Sequence, residues 1–193
     1  MSARYVLMPE REPPPPARLI CETLGEHATL MIRLFVALEI PDDIRGHLET
    51  LHAGVPGARW VASENIHLTL RFIGDVDGAV CEDVVDALLA IRAPSFELTL
   101  ERLGTFQQGS IAHTLWVGVQ RNEVLLQLQS KVERVLVAAG LPPERRRYAP
   151  HLTIARLRDA SVGHVGSFIA EHEPFRMPPF AVEIGRASCR ERV

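Results

Sequence analysis

The sequence predicts a fold of mixed helices and strands arranged in two similar lobes. Short stretches alternate apolar and polar residues and longer ones repeat apolar residues at helical spacing, so strands and helices follow one another. In addition, His-Leu-Thr-Leu at residues 67–70 recurs as His-Leu-Thr-Ile at residues 151–154. Each copy follows a predicted helix and lies on a predicted strand. A solenoid would need more repeats at a shorter period, so two copies indicate two lobes related by an approximate two-fold axis.

Local patterns place the individual elements. Strands are predicted, from alternation and from clusters of branched and aromatic residues, at residues 32–39, 65–73, 96–100, 113–119, 151–157 and 180–184. Helices are predicted, from apolar residues three or four apart, at residues 42–53, 78–91, 122–139 and 162–171. The helix at 122–139 has the clearest pattern, with an apolar stripe formed by Leu125, Leu128, Val132 and Val135. Gly140 is expected to end it.

The two ends of the chain differ from its middle. Residues 1–30 contain the run Pro13–Pro16, which can continue neither a helix nor a central strand. We interpret residues 1–30 as a non-native or disordered extension. Residues 184–193 resemble the in-frame translation of a short-read sequencing adapter. The folded domain is therefore expected to cover residues 31–183 and to be truncated at its C-terminal end.

Composition narrows the class of protein. The net charge of −3 argues against a general nucleic-acid coat, so any bound RNA is expected in a local cleft, through its end. The cysteines, Cys21, Cys81 and Cys189, form no CxxC pair, which argues against a disulfide framework and a zinc site. No apolar run reaches the roughly 20 residues that cross a bilayer. We therefore expect a cytoplasmic protein without a membrane partner.

The two repeated motifs carry groups suited to one reaction. Residues two apart on a strand share a face, so His67 and Thr69 lie on one side, as do His151 and Thr153. Opening a cyclic phosphate needs a base to activate water and an acid to protonate the leaving oxygen. Histidine titrates at about 6.5 and can play either part. The threonine hydroxyls can donate to phosphate oxygens, and neither a metal nor a cofactor is required.

The alternatives to a catalytic site are specific. A single HxT tripeptide is weak evidence, because a lone histidine is more often structural or merely exposed. A metal site built on the two histidines is the rival interpretation, but no cluster of Asp, Glu or Cys supplies further ligands. The recurrence of the whole pattern is what favours a functional site.

Further stretches resemble one known family. They comprise residues 33–38, 59–61, 64–74, 96–98, 115–119 and 148–156, so the likeness covers nearly all of residues 31–183. This region resembles the bacterial and archaeal RNA 2′,3′-cyclic phosphodiesterases, also called 2′-5′ RNA ligases, of the two-histidine (2H) phosphoesterase superfamily. The resemblance implies an α+β fold of two pseudo-symmetric lobes. Each lobe would be an antiparallel sheet with helices outside, and the central cleft would carry the HxT motifs.

The resemblance also implies roles. Hydrolysis of a terminal 2′,3′-cyclic phosphate would leave a 2′-phosphate, with reversible 2′-5′ ligation of tRNA-like fragments as a second activity. His67 would donate a proton to the leaving 3′ oxygen, and His151 would accept one from water. Thr69 and Thr153 would hold the phosphate. We expect a monomer.

Three further residues have two interpretations each. Arg156 matches a phosphate-contacting arginine of the family, but strict alternation places it on the face opposite His151 unless the strand bulges near Ala155. Arg71 shares the face of His67 by the same rule, so it either reaches the cleft or, as we expect, lies beyond it as a solvated strand end. Tyr148 could stack on the terminal base or form an edge of the core.

The remaining aromatic and basic residues suggest weaker hypotheses. Trp60 and Trp116 are expected in the core, with a platform for a base as the alternative. The run Arg145–Arg147 is expected to be a solvated face, with an RNA contact at the cleft rim as the alternative. Two other functions stay open: a 2H phosphodiesterase acting on small cyclic nucleotides or ADP-ribose cyclic phosphate, and an RNA-end binding module without catalysis.

Overall fold

The computed structural model describes residues 5–7, 32–182 and 188–189, which form ten strands and four α-helices. The strands are β1 (Tyr5–Leu7), β2 (Ile32–Glu39), β3 (Ala58–Trp60), β4 (His67–Val76), β5 (Phe96–Leu98), β6 (Leu100–Gln108), β7 (Ile111–Val119), β8 (His151–Ser161), β9 (Phe180–Val182) and β10 (Ser188–Cys189). The helices are α1 (Asp42–Glu49), α2 (Gly78–Leu89), α3 (Glu123–Ala138) and α4 (Val162–Glu171). Apart from β1 and β10, the interpretations of residues 1–30 and 184–193 lie outside the described residues.

One eight-stranded sheet places the two motifs side by side. Its order is β10-β1-β2-β4-β8-β7-β6, with β3 paired to β8, while β5 and β9 form a separate two-stranded sheet. All pairs that involve β2 to β9 are antiparallel. The halves of the large sheet meet where β4 lies beside β8, through the single backbone pair Leu68–Leu152. The predicted α+β fold with antiparallel sheets is confirmed.

Helices cover the buried face of this sheet. The N-terminal cap of α3 is Asn122, whose side chain accepts a hydrogen bond from the Leu125 backbone N–H at 2.9 Å. The predicted apolar stripe of α3 is confirmed in three positions, but its fourth buried residue is Leu136, while Val135 is only partly buried. No helix among the described residues combines the length and apolar character needed to cross a membrane.

Several predicted boundaries are wrong for local reasons. The first helix ends at Glu49 rather than at residue 53, and the Thr50 hydroxyl donates to the carbonyl of His47, where it competes with the helical ladder. The first motif strand begins at His67, because Ser63–Asn65 forms a 3-10 turn. Strands β3 and most of β6 were not predicted. Three residues are too few for a pattern in β3, and the last three residues of β6 are exposed and held by pairing with β7.

Candidate active site

The pair Leu68–Leu152 fixes the geometry of the site. Both leucines are fully buried on the core face, so the residues beside them in sequence point to the opposite face. His67, Thr69, His151 and Thr153 therefore share that face, and all four are partly exposed. The antiparallel register sets each histidine across from the threonine of the other motif. The two histidines are therefore diagonal neighbours, and the Cα atoms of diagonal neighbours in an antiparallel strand pair lie about 7–8 Å apart.

Both imidazole rings are held in the same way. His67 Nδ1 lies 2.7 Å from the backbone carbonyl oxygen of Asn65, and His151 Nδ1 lies 2.7 Å from that of Ala149. A carbonyl oxygen only accepts hydrogen bonds, so each Nδ1 carries the proton and donates. In each ring Nε2 is then the atom that can take up or release a proton. The two motifs therefore share the hydrogen bond that holds the imidazole as well as their sequence.

Aromatic side chains support each imidazole. The ring of Phe35, on β2, stacks on His67 with 4.7 Å between centroids and 25° between planes. The ring of Phe106, on β6, lies edge to face with His151, with 4.8 Å between centroids and 85° between planes. Sequence reasoning missed both phenylalanines, because they lie on strands far away in the chain. Phe35 falls inside the stretch 33–38 that carries the family likeness, which was the one available signal.

Each motif strand bulges directly after its threonine. On β4, Thr69 pairs with Ala37 and Arg71 pairs with the adjacent Val36, so Leu70 is the extra residue. On β8 the same irregularity follows the second motif. A bulge of one residue resets the alternation of the strand, so residues beyond it change face.

The bulge in β8 brings Arg156 to the face of the histidines. Thr153 pairs with Trp116 and Ala155 pairs with Leu115, so Ile154 is the extra residue. Ala155 is fully buried, and Arg156 is exposed. The condition under which Arg156 reaches the cleft, a bulge near Ala155, is therefore met.

The bulge in β4 has the opposite effect on Arg71. This arginine is 8% exposed and turns toward α3. Its Nε donates to Glu133 Oε2 at 2.6 Å, and its Nη2 donates to the carbonyl oxygen of Pro142 at 2.7 Å. The expectation that Arg71 shares the face of His67 as a solvated strand end is wrong. Arg71 instead anchors the loop that follows α3.

Tyr148 connects the two motifs. Its hydroxyl donates to the carbonyl oxygen of Thr69 at 3.2 Å, and its ring packs against the core. Of the two sequence-based alternatives, the structure places Tyr148 at the edge of the core. Stacking of Tyr148 on a base stays a prediction.

Comparisons with known proteins identify the family of this chain. The family described as LigT like Phosphoesterase matches residues 38–116 and again residues 117–191, one match for each motif. The chain belongs to this family of two-histidine phosphoesterases. The double match also accounts for the internal repeat.

Several relatives of this LigT-like chain carry the name RNA 2′,3′-cyclic phosphodiesterase. One from Aeropyrum pernix is 38% identical over 110 residues, which is 56% of this chain and 62% of the relative. Those from Methanothermobacter thermautotrophicus and Escherichia coli K12 are 32% and 35% identical, and both alignments cover 67% of this chain and 73% of the relative. The crystal structure of E. coli LigT complexed with 3′-AMP superposes with a TM-score of 0.60 at 30% identity, over 79% of this chain and 84% of that one.

The two tryptophans of this LigT-like chain behave differently. Trp60 stacks on His52 at 5.0 Å and lies 6.2 Å from Phe168 of α4, so its predicted place against the core is confirmed. Trp116 lies instead on the face of Thr153, with its ring centroid 5.6 Å from that of Phe106 and 6.2 Å from that of His151. The prediction of a core position for Trp116 is therefore wrong, because position 116 lies on the non-core face of β7.

The basic run beside the second motif is exposed. Arg145–Arg147 are all solvated, as predicted. The Glu144 side chain accepts from the backbone N–H of Arg146 at 3.0 Å, and chiefly for this reason the pKa of Glu144 is lowered. Among the described residues, no group of three or more His, Cys, Asp or Glu side chains is placed to hold a metal ion.

Proposed function

We propose that this chain hydrolyses the 2′,3′-cyclic phosphate at an RNA end to a 2′-phosphate, by metal-independent acid–base catalysis. One observation carries the proposal. Two histidines and two threonines face the same side of the sheet around the pair Leu68–Leu152, and each imidazole donates through Nδ1 to a backbone carbonyl. A phosphate set between them would meet one Nε2 atom from each motif.

The proposed reaction assigns one proton transfer to each histidine. His151, neutral, accepts a proton from water at Nε2, and the water oxygen attacks phosphorus. The bond from phosphorus to the 3′ oxygen breaks, and His67, which starts protonated, gives its Nε2 proton to that oxygen. Each transfer contributes about 10²–10⁴-fold in rate. Exchange with solvent then restores the two protonation states.

The threonines and Arg156 would stabilise the charge that develops on phosphorus-bound oxygens. Each threonine lies across from a histidine, so Thr69 and Thr153 can donate from both sides of the phosphate. Arg156 lies on the same face beyond Thr153 and offers a charged donor. The site is composed of preorganised donors and two titrating groups.

A 5′ hydroxyl in place of water would give the second proposed activity. Its oxygen would attack the same phosphorus, His151 would take its proton, and the 3′ oxygen would leave as before. The product is a 2′-5′ phosphodiester, and the reaction runs backward through the same steps. Transfer RNA fragments are the proposed partners for this ligation.

Names of the relatives support the substrate class. The proteins from Aeropyrum pernix, Methanothermobacter thermautotrophicus and E. coli K12 are each named RNA 2′,3′-cyclic phosphodiesterase. We also propose that the chain acts as a monomer in the cytoplasm. All four motif side chains come from one chain, so the proposed site needs no second copy.

A cleavage assay tests the proposal. The substrate is an oligoribonucleotide that ends in a 2′,3′-cyclic phosphate, assayed with and without a chelator. We expect a 2′-phosphate product at equal rates in both conditions. His67→Ala and His151→Ala should each lower turnover by about 10²-fold or more while binding is retained. His164→Ala, at an exposed position on α4, is the matched control. Undiminished turnover in both motif variants would remove the catalytic assignment.

A further inference from the structure

An arginine of β3 faces an arginine of β8. Arg59 and Arg156 are direct partners in the antiparallel pair of these strands, and both are exposed. Their neighbours Trp60 and Ala155 turn toward the core, so the two arginines share the face of the motif histidines. Two guanidinium groups side by side on that face can both donate to one anion.

The positive charge extends along β8. Arg158 is exposed and is separated from Arg156 by the buried Leu157, so it lies one alternation further on the exposed side. We call Arg59, Arg156 and Arg158 the arginine strip. It starts beside Thr153 and leads away from the histidines. At the rise of a strand, it ends roughly 15 Å beyond Thr153.

The overall charge of the chain does not account for the arginine strip. It carries 24 acidic and 21 basic residues and a net charge of −3, so the strip is a local concentration of charge. Guanidinium groups match phosphate oxygens with paired hydrogen bonds, and arginine is the residue that proteins favour for phosphate recognition. A series of arginines along one line suits a series of phosphates rather than a single one.

We propose that the arginine strip binds the phosphodiesters on the 5′ side of the cyclic end, and that the enzyme therefore selects oligoribonucleotides over mononucleoside cyclic phosphates. This inference rests on the proposed function and deepens it. The terminal cyclic phosphate lies between the histidines, and the only direction in which an RNA can continue from it is 5′. Arg156, next to Thr153, is the point where the strip meets the terminal phosphate. Arg59 and Arg158 hold the phosphates that follow.

Two substrates and three variants of the full chain test this inference. The substrates are a mononucleoside 2′,3′-cyclic phosphate and a five-nucleotide RNA that ends in the same nucleoside cyclic phosphate. The measured quantity is the ratio of kcat/KM for the RNA to kcat/KM for the mononucleotide. Arg59→Gln and Arg158→Gln are compared with Arg121→Gln, because the Arg121 side chain is 81% exposed and pairs at the surface with Glu123, the first residue of α3.

We expect the wild-type ratio to exceed one and to fall about tenfold in Arg59→Gln, through a higher KM for the RNA. Arg158→Gln should lower it in the same sense, and Arg121→Gln should leave it unchanged. A plot of log kcat/KM for the RNA against log salt should become shallower by about 0.7 for each arginine removed.

The outcomes separate the two proposals. If neither substrate is turned over by the wild type, the proposed function itself fails. If both are turned over and the ratio stays the same in Arg59→Gln and Arg158→Gln, the cyclic phosphodiesterase survives and the arginine strip has no role in selecting RNA.

Discussion

The hydroxyl of Tyr148 donates to the carbonyl oxygen of Thr69 at 3.2 Å, which ties the segment before the second histidine to the strand of the first motif. Burial raises the pKa of Tyr148 well above its usual value, so the phenol keeps its proton at any pH at which the enzyme would work. The bond spans the junction between the two half-sheets, where backbone pairing is reduced to Leu68–Leu152.

Replacing Tyr148 separates its two interpretations. Tyr148→Phe removes the bond but keeps the ring, and we expect the free energy of unfolding to fall by about 1 kcal/mol in urea titrations. Tyr148→Leu removes the ring as well. If Tyr148 also stacks on a base, KM for the RNA rises in Tyr148→Leu by the equivalent of about 1–3 kcal/mol but not in Tyr148→Phe. Equal KM values in the two variants would limit Tyr148 to a positioning residue.

The threonine hydroxyls should matter for rate rather than for folding. Thr69→Val and Thr153→Val keep the branched shape and remove one donor each, so kcat should fall about 10²-fold in each. Thermal unfolding should be little changed. Thr99→Val, at a half-buried threonine between β5 and β6, serves as the control. A kcat equal to that of the wild type in both motif variants would exclude transition-state contacts from these hydroxyls.

Arg71 should be a large contributor to stability. It is buried, and Arg71→Met leaves Glu133 without its ionic partner, so we expect a loss of about 3 kcal/mol in urea unfolding. Arg33→Met is the matched control, because Arg33 and Asp75 are 41% and 49% exposed and such pairs contribute about 0–1 kcal/mol. The double variant Arg71→Met, Glu133→Leu should recover much of the loss. Equal effects of Arg71→Met and Arg33→Met would contradict the assigned anchor.

The absence of a side chain at Gly104 leaves the space that the Trp116 indole occupies. A Cβ atom at Gly104 would collide with the Trp116 indole, so Gly104→Ala must displace a ring that lies beside His151. We expect a loss of about 1–3 kcal/mol in stability together with lower turnover. Gly46→Ala provides a contrast, because nothing lies within 4 Å of its Cβ position in α1 and alanine favours a helix by about 1 kcal/mol. Unimpaired turnover in Gly104→Ala would show that the position of Trp116 does not affect catalysis.

His52 should make the fold sensitive to acid. Burial lowers its pKa below 6.5, with Glu49 opposing, and its Nε2 is buried without a hydrogen-bond partner among the described residues. The unfolded chain therefore binds the proton first as the pH falls. The stability from a neutral His52 is fully present above pH 6.5 and is lost below it. His52→Phe keeps a ring against Trp60, so its unfolding free energy should depend less on pH between 5 and 7, about the range in which histidine titrates.

The sequence predicts what depends on local periodicity. The bounds of β2 and α4 match their predictions, and the shared face of His67 and Thr69 follows from the two-residue period of any strand. The faces of Arg71 and Arg156 depend instead on bulges, which are defined against β2 and β7. Those neighbours are distant in the chain, so no local pattern could place the two arginines.

The register around Leu68–Leu152 makes the two halves of the chain mutually dependent. Each histidine lies across from the threonine of the other motif, so both His–Thr pairs form between β4 and β8. A fragment that carries one motif would contain one histidine and one threonine, but not the threonine that lies across from that histidine. A single repeat therefore lacks the complete set of motif side chains, and the proposed site forms only when both repeats are joined in one sheet.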